Sequence, residues 1–497
     1  MHPLPPLLAA VLNIFAAFVS LLILLTLIAI VVLYIIDRGQ HKDAIRHNFP
    51  VVGRFRALFA YLGEFFRQYF FAMDREEMPF NRAERTWVGH ASRAEGNTMA
   101  FGSTKNLSIP GTALFVNAPF AKLEREIDEP EPLLIGPYVE NPYVPPSYFN
   151  ISGMSYGAIS RPAVLALSRG AKMANCWMNT GEGGLSPYHL EGGADIVFQI
   201  GTAKYGCRND DSTLNEDKLK KITDHAQVKM VEIKLAQGAK PGKGGLLPGG
   251  KVTPEIAEIR GIKAGQPSHS PNRHPEISNT GELLDFISRV RHIAKKPVGF
   301  KTVIGSATWV EELCREINHR GIEHAPDFIT IDSADGGTGA APMPLMDNVG
   351  LTISEALPIV DHILRKHNLR DRIRIIVSGK RITPSAVALS LCSGADFTVT
   401  ARGFMFALGC IQAMRCNKNT CPTGITTHKK ALQAGLDPTE KSHRVAAYCH
   451  SVRMEVDMIA HACGVDEARQ LSREHVRLVQ GNGHSISLDE LYPHIPS

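Results

Sequence analysis

A chain of 497 residues with 44% hydrophobic and 21% charged residues has a globular composition and is long enough for several domains, or for one large α/β barrel with appendages. Its formal net charge of +5 is small over this length, and no Lys- or Arg-rich tract with interleaved aromatics occurs, which argues against a nucleic-acid partner. Nine cysteines, an odd number and mostly scattered, exclude the disulfide framework of a small secreted domain and place the soluble part in a reducing compartment.

The first element is an apolar run. From Leu7 to Ile36 there is no charged residue, and Asn13, Ser20 and Thr26 are its polar interruptions. At ~1.5 Å per residue, about 20 such residues cross a bilayer core. The first 37 positions hold no Lys or Arg, whereas Arg38, Lys42, Arg46, Arg54 and Arg56 follow. A cleaved signal peptide has the opposite charge order and a shorter apolar region. The positive-inside rule therefore predicts a single-pass anchor over residues 1–37 in the cell membrane, with its N-terminus outside and the catalytic body cytoplasmic.

A membrane-proximal region is expected over residues 38–110. Residues 50–71 (PVVGRFRALFAYLGEFFRQYFF) are amphipathic and rich in Phe, Tyr and Arg. They suit either a helix lying on the membrane surface or one packed on the catalytic body. Residues 72–110 are polar and read as a wrap or linker.

From about Ala113 short apolar runs alternate with helical periodicity. Strands are expected at 297–303 (PVGFKTV), 327–331 (DFITI), 374–377 (RIIV) and 396–400 (DFTVT), with helices such as 280–295 and 352–366 between them. This alternation predicts βαβ units and a parallel (β/α)8 TIM barrel over residues 111–430. Three glycine-rich runs would face its ligand: Ser152–Ala158 with Asn179–Gly184, Lys234–Lys251, and Asp332–Gly339, the last including Asp335 and Gly336. None is a Walker A or a dinucleotide fingerprint, so nicotinamide binding is not expected. The last two strands lead into Ser378-Gly379-Lys380 and Ala401-Arg402-Gly403. Loops after the seventh and eighth barrel strands commonly hold phosphate, so this pair points to a phosphate-bearing cofactor such as FMN.

Directly afterwards Cys410, Cys416 and Cys421 are spaced C-x5-C-x4-C within a glycine- and proline-punctuated segment. Three soft thiolates this close suit an iron–sulfur cluster, with zinc as the main alternative, and three ligands favour a three-iron cluster. Residues 431–497 read as a C-terminal helical extension without legible chemistry.

Taken together, MNTGEGG (178–184), LAQGAKPGKGGLLPGGK (235–251), ADGGTGAAP (334–342) and ALGCIQAMRCNKNTCPTG resemble the FMN-binding synthase domain of glutamate synthase over roughly residues 110–430. The resemblance is to membrane-anchored, glutamate-synthase-like proteins. It implies a (β/α)8 barrel, FMN and a [3Fe-4S] cluster ligated by Cys410, Cys416 and Cys421. It implies that Ser152, Met154 and Ser155 lie against the flavin and that Lys301 stands near its ring. Ser378, Gly379, Ala401 and Arg402 match the phosphate loops, Lys380 adding charge, although SGK and TARGF replace the family's usual DGG and GTGPM. The oxo-acid set falls on Glu182, Gln237, Lys240 and Arg260, and Lys243 replaces a customary glutamate.

The function this implies is reductive amination of 2-oxoglutarate or a similar oxo acid to the amino acid, or the reverse oxidation. Because the chain opens with Met1-His2 and then the apolar run, ammonia and electrons are expected from elsewhere, the electrons from a donor protein. The alternative expectations are a membrane-tethered electron-transfer subunit and an FMN oxidoreductase acting on a different amino or oxo acid.

Overall fold

The computed structural model describes residues 5–40, 43–96, 98–123 and 131–493, leaving Lys42 outside the described residues. The chain divides into two units, Met1–Ala83 and Glu84–Ser497.

In the first unit, helix α1 (Pro6–Gly39) runs for 34 residues. Among the described residues it is the one helix long and apolar enough to cross a membrane. Most of its side chains are exposed, a few are partly exposed, and one is buried. Asp37, on the last turn, is 1% exposed because its carboxylate accepts hydrogen bonds from Val51 N (2.9 Å) and from Arg54 Nε (2.9 Å) and Nη2 (2.8 Å). Between these partners lies the short α2 (Ala44–Asn48), whose N-terminus is capped by the Asp43 side chain. Helix α3 (Gly53–Phe66) follows and continues as a π-helical turn, Arg67–Phe71.

Eight parallel strands close a barrel in the second unit. They are β1 (Phe149–Ile151), β2 (Met178–Asn179), β3 (Ile196–Ile200), β4 (Val228–Lys234), β5 (Val298–Val303), β6 (Phe328–Asp332), β7 (Arg374–Val377) and β8 (Phe397–Thr400). Each strand pairs with its sequence neighbours, and β8 closes on β1 through Thr398–Phe149 and Thr400–Ile151. Their Ile, Val, Phe and Thr content suits strands buried on both faces, the usual state of a parallel sheet covered by helices. The (β/α)8 barrel read from the sequence is therefore the observed fold, and the four strands expected at 297–400 are β5 to β8, with bounds differing by no more than one residue.

Helices seat on the barrel through continuous apolar contacts. Leu284, Ile287 and Val290 of Thr280–Ala294 and Leu357, Val360 and Leu364 of Ile353–Lys366 join Phe300, Ile331 and Ile375 of the strands in one core. The stretch read as a linker contains a helix, Arg82–Ser92, whose Trp87 indole donates to Glu455 Oε2 (3.1 Å). Glu455 lies on α4 (Pro438–Ala462), the helix of the C-terminal extension. That extension also contributes strands Val476–Val479 and Ser485–Ser487, which form an antiparallel sheet with Ala113–Phe115.

One buried ion cluster ties this extension to the barrel. Asp361 is flanked by Arg365 Nε (3.0 Å), Arg370 Nε (2.8 Å) and Arg473 Nη2 (2.6 Å), with the Asp361 and Arg473 side chains each 1% exposed. Removing the shared carboxylate leaves buried guanidinium charge uncompensated, a loss of about 3–5 kcal/mol. Asp361→Ala is expected to lower the thermal and denaturant midpoints markedly. A midpoint within a degree of wild type would contradict this role.

Candidate active site

Successive strand residues alternate between faces, so polar residues two apart on a barrel strand meet inside it. On β4 these are Glu232 and Lys234, and on β6 Thr330 and Asp332. Glu232 Oε1 accepts from Asn179 Nδ2 of β2 (2.9 Å) and Gln199 Nε2 of β3 (2.6 Å), and its Oε2 accepts from Thr330 Oγ1 (2.5 Å). Lys301 of β5 is paired in register with Thr330 and sends its Nζ to Asp332 Oδ2 at 3.1 Å, both side chains being buried. Burial works against charge on Lys301, but Asp332 and Glu232 outweigh it and raise its pKa. Burial likewise opposes the Asp332 carboxylate, which Lys301 and backbone N–H groups hold below the ordinary range. Asn179, Glu232, Lys301 and Thr330 also line a cavity of about 10 Å³, room for one water.

Above this floor, loops after β2 and β4 bring charge together. Glu182 Oε1 lies 3.0 Å from Lys234 Nζ, and the same amine contacts Gln237 Oε1. Burial pushes the Glu182 pKa up, yet Lys234, Lys240 and Arg260 together hold it low. Lys240 is buried, and desolvation with repulsion from Lys234 brings its pKa down to about 8 against the pull of Glu182. Arg260, at the end of helix Pro254–Arg260, donates Nη2 to the Tyr156 carbonyl (3.0 Å) and lies 5.0 Å over the Tyr205 ring. Its Nε is buried without a partner. Three cations thus converge on one carboxylate, an excess of positive charge suited to an anionic ligand.

The remaining loops are packed backbone to backbone. Ser152 N donates to Thr400 O (3.1 Å), joining the ends of β1 and β8. The Met154–Ser155 segment lies against Gly181, where a Cβ would fall 2.5 Å from Ser155 N. Gly238 faces Gly336 so closely that a Cβ on Gly238 would stand 2.4 Å from the Gly336 Cα. This contact locks the β4 loop onto the β6 loop and explains why neither position carries a side chain.

After β7 and β8 the geometry fits a phosphate. The Ser333 hydroxyl is buried without a partner, and a Cβ on Gly379 (φ +95°) would sit 2.7 Å from it. Arg402 donates Nη2 to the Asp335 carbonyl (2.9 Å), and its guanidinium covers Gly337. Ser378 N is engaged by Ile331 O (2.9 Å), Lys380 holds a left-handed φ of +49°, and Ala401 caps the helix that begins at Arg402. Arg381 donates Nε to Gly379 O (2.7 Å), and burial lowers its pKa to about 10. An orphan hydroxyl, bare backbone and guanidinium charge are what a phosphate monoester needs.

Cys410 and Cys416 are partly exposed and Cys421 is buried. The three thiols influence one another electrostatically. Burial, reinforced by this repulsion, pushes Cys410 up to about 12 and raises Cys416. Burial opposes ionisation of Cys421 too, but hydrogen bonding led by Thr423 Oγ1 (3.3 Å) leaves its pKa below the ordinary thiol value. Lys251, 2% exposed, donates Nζ to the carbonyls of Cys416 (2.9 Å) and Ala158 (3.2 Å), placing a cation beside the thiols. Among the described residues no three His, Cys, Asp or Glu are grouped to hold one metal ion. A polynuclear cluster takes ligands standing farther apart than one ion does, and three thiols without imidazole are a soft set.

Residues 114–466, which include every residue named from Ser152 to Cys421, match the conserved region in glutamate synthase. The chain belongs to the glutamate synthase family. It is 39% identical to the glutamate synthase large subunit-like protein YerD of Bacillus subtilis, over 96% of this chain and 97% of that one. It is 35% identical to the archaeal glutamate synthase (NADPH) of Methanocaldococcus jannaschii, over 66% of this chain and 61% of that enzyme. The archaeal-type glutamate synthase (NADPH) of Thermotoga neapolitana is 33% identical over 69% of this chain and 64% of its own length. The chain therefore spans less than two thirds of these last two enzymes.

Within this glutamate synthase fold, Glu182, Gln237, Lys240 and Arg260 form one neighbourhood, and Ser378, Gly379 and Arg402 another with Asp335 and Gly336. Lys243 is exposed. Sequence reasoning passed over Glu232 and Arg381, and placed Lys234, Lys251, Asp332 and Ser333 in runs facing the ligand without an individual role. The signal for three of them was present: Glu232, Lys234 and Asp332 are charged residues in otherwise apolar strands, and charge there must be paired.

Proposed function

We propose that this protein is a glutamate-synthase-type oxidoreductase, using FMN and a [3Fe-4S] cluster, that reductively aminates 2-oxoglutarate or a similar oxo acid at the cytoplasmic face of a membrane. The observation that carries this is the convergence of Lys234, Lys240 and Arg260 on Glu182 beside the strand-borne Lys301–Asp332 pair. Ser333, Ser378, Gly379 and Arg402 would hold the FMN phosphate, Ser152, Met154 and Ser155 its ring, and Cys410, Cys416 and Cys421 the cluster. FMN would supply the hydride that reduces the imine carbon, and the cluster would deliver electrons singly from a donor protein.

The side chains divide the remaining work. Lys240 and Arg260 bind the two carboxylates of the oxo acid, and their burial strengthens both contacts. Glu182, held ionised, stabilises the positive charge of an iminium carbon and fixes the Lys234 amine. Lys301, raised in pKa, offers fixed positive charge where a reduced flavin would carry negative charge. Helix α1, apolar and exposed along its length, would anchor the chain, with Arg38 and Arg46 marking the cytoplasmic side.

Anaerobic photoreduction followed by 2-oxoglutarate and ammonium tests the proposal. Rapid flavin reoxidation that needs both, with glutamate formed, is expected. A flavin that stays reduced would reject this substrate pair and favour an electron-transfer role.

Oxo-acid affinity should also depend on pH. With Lys240 titrating near 8, the free site is charged below that value and must take up a proton to bind a carboxylate above it. Kd is expected to rise up to ~10-fold per pH unit above 8. Lys240→Arg, with a charge that persists, should flatten this rise in a titration between neutral and alkaline pH. A wild-type Kd constant across the range would contradict the assignment.

A further inference from the structure

Helix α3 and its π-helical continuation carry two unlike faces. Phe55, Leu58, Phe59, Phe66, Tyr69 and Phe70 are 42–73% exposed and fall on one arc at helical spacing. Two pairs of rings meet along it in tilted contacts, Phe55 with Phe59 at 6.3 Å and Phe66 with Phe70 at 5.7 Å between ring centroids. Arg56, Ala57, Ala60 and Arg67 occupy the opposite arc. So much exposed aromatic surface marks an interaction face.

Its occupant follows from where the helix begins. At ~1.5 Å per residue the 34 residues of α1 are about 50 Å long, against a hydrocarbon core of ~30 Å, so its last turn emerges among the headgroups. Asp37 lies on that turn and binds both Val51 N, two residues before the start of α3, and Arg54, one residue after it. The start of α3 is therefore held at the height of the headgroups. Between Arg38 and Phe71 the sequence has six Lys or Arg and two acidic residues, matching an anionic leaflet. Phe and Tyr with flanking Arg is the composition that an acyl–headgroup boundary accommodates.

We propose that α3 and the Arg67–Phe71 turn lie in the membrane–water interface with the Phe55–Phe59–Phe66 face in the lipid, making the first unit a spanning helix joined to an interfacial one by the Asp37–Arg54 clamp. This rests on α1 crossing the membrane.

The test uses the full chain in vesicles of mixed zwitterionic and anionic phospholipid, with Phe59→Trp and Ala60→Trp made separately. Emission above the background of the native tryptophans is read with phospholipids brominated at shallow or deep acyl positions. Phe59→Trp is expected to be quenched at least ~2-fold more than Ala60→Trp, and more by shallow than by deep bromines. Flotation with the vesicles but equal or absent quenching at the two positions would overturn the interfacial assignment while leaving α1 as an anchor, and would mean that protein covers the face. Failure to float would remove the membrane reading of α1 and this inference with it. An unchanged thermal midpoint for both variants confirms that they are folded.

Discussion

Alanine at Lys240 or at Arg260 is expected to lower kcat/KM for the oxo acid by about 30- to 700-fold each, with most of the loss in KM. Both side chains are buried, and both act on Glu182 in the resting site. Truncating one partner of a buried charge pair costs about 2–4 kcal/mol, and each 1.4 kcal/mol is tenfold. Because both cations also act on Glu182, the double variant should depart from the product of the single losses. Arg260→Lys should recover only part of the activity, since a point charge cannot keep both the Tyr156 carbonyl and a carboxylate in a planar fork. Flavin reoxidation rates in oxo-acid titrations provide the measurement. Unchanged oxo-acid affinity in both single variants would remove the substrate reading and bring forward the electron-transfer role.

Serine at Cys410, Cys416 or Cys421 should separate the two half-reactions. Loss of one of three thiolates is expected to reduce bound iron and acid-labile sulfide to background, because serine oxygen is a hard and poorly ionised replacement for a soft thiolate. Turnover driven by a one-electron donor should vanish. Oxo-acid-dependent reoxidation of a photoreduced flavin should survive, since Glu182, Lys240 and Arg260 sit on other segments of the chain. Iron content equal to wild type in all three variants would exclude these residues as ligands. Cys449→Ser provides the contrast: that buried thiol belongs to α4 and contacts the Phe149 carbonyl at 3.6 Å, so its loss should leave iron in place.

The barrel was legible because parallel strands buried on both faces must be short apolar runs, and those at β5 to β8 stood out between amphipathic helices. Strands β1 and β2, three and two residues long, lead straight into glycine-rich runs and are too short to stand out as apolar runs. The Gly238–Gly336 contact shows why such runs resist local reading. Each glycine is absent of side chain because of the other, nearly a hundred positions away, and neither loop alone reveals its partner.

Charged strand residues show the same division. Lys301 was expected near the ligand, but its pairing with Asp332 and the Glu232 network beneath it needed the barrel to close. The C-terminal segment was read as helical, and α4 accounts for that. Of its two short strands, Val476–Val479 pairs with Ala113–Phe115, more than 350 residues earlier, and Ser485–Ser487 pairs in turn with Val476–Val479.

By itself the sequence determined what is local or periodic: the apolar length of α1, the alternation that makes a parallel barrel, the Cys410–Cys416–Cys421 spacing, and the glycine-rich runs that place this chain in the glutamate synthase family. Such features depend on residues within a turn or two of one another. The tertiary structure decided which charges meet: Lys234 with Glu182, Lys301 with Asp332, Asp37 with Arg54 and Asp361 with three arginines. Coulombic energy depends on separation and burial, and neither is set until strands distant in the chain lie side by side.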